Sequence, residues 1–165
     1  MPEILQVIPN IHYVIAGKGP DRVRIERMIC QMHLQKYVTL AGFVPDQQLC
    51  DYYNLCDVFV MPSKREGFGI VYLEAMASGK PTVGGNQDGA MDALCQGEIG
   101  ALVDPDDISE LARTLLEILQ GNYKNSLLYD SDSLRRRVIE IYGLNTFKNN
   151  LKSLLKPYYR ENIST

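Results

Sequence analysis

No run in this sequence is long and apolar enough to cross a bilayer, since none approaches the roughly 18 residues that a membrane helix needs. Its opening, MPEILQVIPN, lacks the basic stretch of a secretory leader and carries Glu3, so the expected location is the cytoplasm. An excess of positive charge is lacking too. Seventeen basic against twenty acidic residues leave a formal charge of −3, which argues against nucleic acid as a partner, because phosphate backbones select basic surfaces. Metal-ligand spacing is also missing. Cys30, Cys50, Cys56 and Cys95 form no C-x-x-C pair, and His12 and His33 stand far from any ligand-like partner. Buried or half-buried free thiols in a reducing compartment are the expectation, with no disulfide, no metal and no cofactor.

What is present is one domain's worth of chain, 165 residues with an ordinary share of apolar and charged side chains. Short apolar runs alternate with helical patterns. Strands are expected at Ile11 to Ala16, Val38 to Ala41, Val58 to Met61, Pro81 to Val83 and Gly100 to Val103. Between them come helices over about 20–34, with Pro20 in the first turn, and over Gln47 to Leu55, with Asp46 as N-cap. A further helix over Gly69 to Ser78 is stopped by Gly79 and Pro81, and a brief one is expected over Asp88 to Leu94. After the fifth strand, Asp104, Asp106 and Asp107 read as a turn and N-cap for an amphipathic helix over Ile108 to Leu119, in preference to a metal cluster. Residues 121–130 read as a polar linker, and two last helices as 132–142 and 145–157. Within the first of these, Arg135, Arg136 and Arg137 form a solvated face opposite Leu134, Val138 and Ile141.

Such alternation implies an α/β fold, a Rossmann-like doubly wound parallel sheet with helices on both faces. Ligands on these folds sit at the carboxyl ends of the strands. That directs attention to the loops at 17–20, 42–45, 62–69 and 84–90, all of which contain glycine. Gly17-Lys18-Gly19 does not make a nicotinamide site. Pro20 and Arg22 interrupt the dinucleotide fingerprint, and the next strand ends at Ala41-Gly42 without an acid.

The most informative stretch runs from Pro62 to Pro81, PSKREGFGIVYLEAMASGKP. It is a glycine-rich turn from a strand end into a helix start, where unpaired backbone N–H groups suit a diphosphate. Glu66 lies in the loop and Glu74 in the helix. Carboxylates repel phosphate but accept paired hydrogen bonds from vicinal hydroxyls. A ligand with sugars on either side of a diphosphate satisfies both demands, and a nucleotide-sugar is such a ligand.

With Glu66 and Glu74 separated by seven residues around Glu66-Gly67-Phe68-Gly69, the sequence resembles the GT-B retaining glycosyltransferases of the group 1 type. Val14 to Pro20, Gly42-Phe43-Val44, Asp57 to Ser63 and Glu74 to Pro81 agree with that family in order and spacing, over about residues 10 to 120. The resemblance implies that Glu66 is the catalytic-site carboxylate holding donor-sugar hydroxyls, and that Glu74 holds the ribose. Amides near Gly67, Phe68, Gly69 and Ile70 would meet the diphosphate or sugar. Phe43 and Val44 would border the base, with Gly17, Gly19 and Gly85 lining the donor site. For Lys64, assistance to a phosphate and plain solvent exposure are equal alternatives. One departure stands out: Asp92 occupies the place where the family has Glu.

The resemblance further implies a donor that is a UDP-sugar, or alternatively a GDP-sugar, and hexosyl transfer with retention in polysaccharide biosynthesis. Residues 1–120 would form the nucleotide-sugar-binding domain, one half of a GT-B fold without its first strand. Residues 121–165 would be a linker and C-terminal helices packing on the same domain. An N-terminal acceptor-binding domain is expected outside this chain, together with the arginine and lysine that neutralise the departing diphosphate, and with peripheral membrane association of the full enzyme. The chain alone is then expected not to transfer sugar. A non-catalytic nucleotide-sugar-binding module and a sugar-nucleotide epimerase of related architecture remain alternatives. Tyr158 and Tyr159 are read as anchoring the C-terminal tail.

Overall fold

A computed structural model describes residues 1–161, with their side chains through residue 157. Tyr158 and Tyr159 therefore lie outside the described side chains. The chain divides into two compact units, residues 1–55 and 56–165.

In the first unit, α1 (Pro2–Val7) opens the chain with Pro2 in its first turn, the helical position where a missing N–H costs nothing. Strand β1 (Tyr13–Ala16) pairs in parallel with β2 (Val38–Gly42), in register from Tyr13 opposite Val38, with a bulge between Ile15 and Ala16. The connection is α2 (Arg22–Gln31), shorter than the sequence predicts. Pro20 precedes it instead of entering it, because the Gly17–Pro20 turn consumes the residues that would have formed the first helical turn. Helix α3 (Asp46–Leu55) begins one residue early, so Asp46 is its first residue and not its cap.

The second unit holds a parallel ladder in the order β3 (Phe59–Met61), β4 (Thr82–Gly85), β5 (Ala101–Val103). Strand β4 is buried throughout, as a central strand covered on both faces must be. Helix α4 (Ile70–Ala77) joins β3 to β4. The short α5 (Ala90–Ala93) and a 3₁₀ turn (Cys95–Gly97) join β4 to β5. Helix α6 (Ile108–Leu119) starts at Asp107, whose carboxylate accepts the Glu110 N–H at 2.8 Å, so the aspartate-rich turn is a helix cap.

Residues 121–130 are not a plain polar linker. A 3₁₀ turn (Ser126–Tyr129) seats Leu128 in the interior, and Asp130 then caps α7 (Ser131–Tyr142) through the Ser133 N–H. Helix α7 packs on α4, with Leu134 and Val138 buried. Its arginines are not merely solvated. Arg135 donates to the Ala77 carbonyl at 2.6 Å, and Arg137 pairs with Glu98. Helix α8 (Leu144–Glu161) follows, with Pro157 inside it.

The core of this unit is built around Tyr72, Met76, Ala90, Leu94, Ile99 and Leu134, all fully buried. Tyr72 meets Phe59 edge to face at 6.1 Å, and its hydroxyl donates to the Met61 carbonyl at 2.7 Å. That bond lets a polar tip be buried beside the end of β3. Cys30 and Cys50 are exposed, contrary to the expectation of buried thiols, because α2 and α3 turn those positions outward. Burial raises the Cys56 thiol above its usual range, with Lys80 partly opposing it. Among the described residues, no helix is long and apolar enough to cross a membrane.

Candidate functional site

Strand β3 ends at Met61, and the chain turns through Pro62 to Gly69 before α4 begins. Of the two glycines in this turn, only Gly69 is required by the geometry. Gly69 has φ of 82°, in the left-handed region, and a side chain there would also lie 2.3 Å from the Tyr72 ring. Gly67 has open space around it. Phe68 turns its half-buried ring into the core, meeting Tyr142 edge to face at 5.7 Å, so its backbone is the part left to serve the loop. Ile70, the first residue of α4, is 67% exposed. Glu74 follows it by one turn on the same side of the helix and is half-buried.

Glu66 is half-buried, and its backbone is held at both ends. Its N–H donates to Asp88 Oδ2 at 2.7 Å, and its carbonyl accepts the Gly89 N–H at 2.9 Å. Within the loop, the Gly67 N–H donates to Glu66 Oε1 at 3.1 Å. The same Asp88 Oδ2 accepts the Ser63 hydroxyl at 2.8 Å, while Oδ1 accepts the Ala90 N–H at 3.0 Å. Partial burial works against the Asp88 charge, but the donors from Glu66, Ala90 and Ser63 outweigh it and hold the carboxyl below its usual range. Lys64 is exposed and ion-paired with Asp106.

The loop after β4 lies against this turn. Gly85 is buried, and a side chain at that position would sit 2.2 Å from the Ser63 carbonyl oxygen. Asp92 lies on α5, exposed, with its carbonyl accepting the Tyr142 hydroxyl. Asp88 is placed at the start of a helix by the sequence, and its bonds to Ser63 and Glu66 are not visible there. They span 25 and 22 residues, and only the aspartate's position two residues before Ala90 hints at a capping role.

In the first unit, the loop after β1 forms a cavity of about 210 Å³ lined by Gly17, Lys18, Gly19, Asp21 and Arg22. Gly17 has φ of 125° and donates its N–H to the Gly42 carbonyl at 2.6 Å. After β2, Phe43 is exposed with the Lys18 ammonium 5.2 Å from its ring centre, while Val44 is buried.

Chemically, the Glu66 turn joins a half-buried carboxylate, held at its backbone, to the start of a helix, where the first N–H groups have no i−4 partner within the helix. The profile of the family described as glycosyl transferases group 1 matches residues 1–140. The chain belongs to that family. Among curated relatives of the group 1 glycosyltransferase domain, a GDP-mannose-dependent alpha-(1-6)-phosphatidylinositol monomannoside mannosyltransferase of Mycolicibacterium smegmatis is 31% identical over 126 residues, covering 72% of this chain and 33% of the relative. The alpha-monoglucosyldiacylglycerol synthase of Acholeplasma laidlawii is 29% identical over 160 residues, covering 96% of this chain and 35% of the relative. The chain thus spans about a third of the length of these relatives.

Sucrose-phosphate synthase from Thermosynechococcus elongatus superposes with a TM-score of 0.78 at 27% identity, over 96% of this chain and 41% of that one. Anabaena HepE, solved in complex with UDP, gives a TM-score of 0.76 at 21% identity, over 95% and 45%. These likenesses show the fold of a group 1 domain: parallel strands with helices on both sides, as in GT-B glycosyltransferases.

Proposed function

We propose that this chain is the donor-binding part of a retaining glycosyltransferase that transfers a hexosyl group from a nucleoside-diphosphate sugar. The observation that carries the reading is the turn at 62–69. It fixes the backbone of Glu66 from both sides and ends on the first turn of α4, with Glu74 one turn further along. Glu66 accepts hydrogen bonds from donor-sugar hydroxyls, Glu74 from the ribose, and the amides of Gly67 to Ile70 meet the diphosphate or sugar. Gly85 contributes by admitting the Ser63 backbone. Lys64 assists a phosphate only by leaving Asp106, an exposed partner that holds it weakly.

A UDP-sugar is favoured, with a GDP-sugar as the second candidate. HepE has been solved with UDP and with UDP-glucose, and the mycobacterial relatives are named for GDP-mannose. A role in polysaccharide biosynthesis in the cytoplasm, a separate acceptor-binding lobe and peripheral membrane association of the whole enzyme belong to the same proposal. Helix α8 supports the last point. Leu144, Phe147, Leu151, Leu154 and Leu155 are exposed along one stripe, with Lys148, Lys152 and Lys156 at four-residue spacing on its flank.

Titration calorimetry with UDP, GDP, UDP-glucose and GDP-mannose tests the donor reading. Glu74→Ala should weaken binding of the bare nucleotide, whereas Glu66→Ala should weaken only the nucleotide-sugar. A lost charge-assisted hydrogen bond is worth about 1.5–3 kcal/mol. Equal loss of the bare nucleotide in both variants would show that the two roles are wrongly assigned.

A further inference from the structure

We infer that Asp88 is the positioning residue for Glu66, clamping the turn so that the Glu66 carboxylate is presented to the donor sugar. The inference rests on the donor-binding reading above and adds a residue that makes no contact with the ligand in that reading.

Two features distinguish this clamp from an ordinary loop contact. The first is its two-point attachment. Asp88 takes the Glu66 N–H at 2.7 Å, and its neighbour Gly89 gives its own N–H to the Glu66 carbonyl at 2.9 Å. Fixing the peptide groups on both sides of one Cα fixes the direction of its Cα–Cβ bond. The second is the sharing of the carboxylate. Oδ2 receives Ser63 and Glu66, and Oδ1 receives Ala90, so one ionised group ties the turn after β3 to the start of α5. Hydrogen bonds to an ionised acceptor are about twice as strong as neutral ones. Glycine on either side of the clamp permits it: a side chain at 85 or 89 would strike the backbone of Ser63 or Gly67.

The carboxylate chemistry is specific. Asparagine has one acceptor face and one donor face, so it can keep the Ser63 and Glu66 pair only by turning its NH₂ toward the Ala90 N–H. Asp88→Asn should therefore retain part of the carboxylate's hold on the turn, and Asp88→Ala none of it, with only the Gly89 N–H left on the Glu66 carbonyl.

The test uses the full chain, with two readouts. Amide hydrogen exchange at Glu66 reports the clamp without reference to any ligand. The ratio of affinities for UDP-glucose and UDP, or for GDP-mannose and GDP, reports how well the sugar is held. Asp88→Ala should accelerate exchange at Glu66 and reduce that ratio roughly tenfold, as Glu66→Ala does, while bare-nucleotide affinity changes by about twofold or less. Asp88→Asn should fall between, and it carries the test if the alanine variant does not fold. Unchanged exchange at Glu66 overturns the clamp. Accelerated exchange with an undiminished ratio overturns positioning and leaves Asp88 a structural residue. A ratio that survives in Glu66→Ala itself overturns the reading of Glu66, a failure that the exchange measurement separates from failure of the clamp.

Discussion

Gly89 and Gly67 approach so closely that a methyl group on Gly89 would sit 2.0 Å from the Gly67 carbonyl oxygen. Gly89 has φ of −62° and ψ of −8°, a conformation open to any residue, so glycine is required here by space and not by torsion. The atoms in the way are backbone, including the Glu66 carbonyl oxygen at 2.8 Å, and cannot swing aside as a side chain would. Gly89→Ala should destabilise the fold by about 1–3 kcal/mol, the usual cost of overpacking. It should also lower the nucleotide-sugar to nucleotide affinity ratio. Urea denaturation and calorimetry check the two effects, and a variant unchanged in both would mean that the turn relaxes freely.

Gly69 and Gly67 offer a contrast within one turn. Gly69 combines a left-handed φ of 82° with a clash against the Tyr72 ring, whereas nothing lies within 4 Å of a side chain at Gly67. Gly69→Ala should cost more than about 1 kcal/mol, and Gly67→Ala less than about 0.5. Thermal melts of the pair decide it, and equal losses would contradict the geometry.

The alternating strands and helices were legible because each strand is a short apolar run punctuated by glycine or proline. Pro20 misled because a proline suits a helix start but also a turn, and the Gly17–Pro20 segment uses it as the latter. Leu128 was missed because two adjacent leucines, Leu127 and Leu128, in an otherwise mostly polar decade show neither helical nor strand periodicity, yet a 3₁₀ turn buries Leu128. Glu66 and Glu74 were singled out by their spacing along one loop and helix, together with the family resemblance. Asp88 was not, since its partners at Ser63 and Glu66 are brought near only when β4 pairs with β3. The exposed Cys30 and Cys50 show the same limit: a thiol's typical burial does not say which face of an amphipathic helix it occupies.

Tyr72 is fully buried, and its hydroxyl is satisfied by the Met61 carbonyl. Burial is the main reason that its ionisation is pushed far above the ordinary tyrosine range, with Asp88 and Glu66 adding to it. The group is therefore a neutral hydrogen-bond donor at any working pH. Tyr72→Phe keeps the ring packed against Phe59 and removes one of two donors to the Met61 carbonyl, which still accepts the Ser63 N–H at 2.8 Å, so a loss of about 0.5–1.5 kcal/mol is expected. Chemical denaturation measures it. A neutral result would mean that the Ser63 N–H alone satisfies the carbonyl and that the hydroxyl adds nothing to stability.

Asp88 also makes a prediction about acid. Its carboxyl is held below the usual range in the folded chain, partial burial being outweighed by the bonds from Glu66, Ala90 and Ser63. Because the folded group binds its proton less readily than the unfolded one, the linked stability is fully present above the unfolded value, about 3.9. It is lost as pH falls from there through the lower folded value. Asp21 and Asp130 are also lowered, by Arg24 and Ser133 respectively, so acid destabilisation of the wild-type chain is shared and does not isolate Asp88. The difference between wild type and Asp88→Asn does, since the amide does not titrate. That difference, from urea denaturation at successive pH values, should be constant near neutrality and shrink as the pH falls below the ordinary aspartate range. Exchange at the Glu66 amide, corrected for its intrinsic pH dependence, should lose protection over the same window in the wild type only. A stability difference that stays constant down to the acid transition would mean that the Asp88 charge contributes nothing to holding the turn.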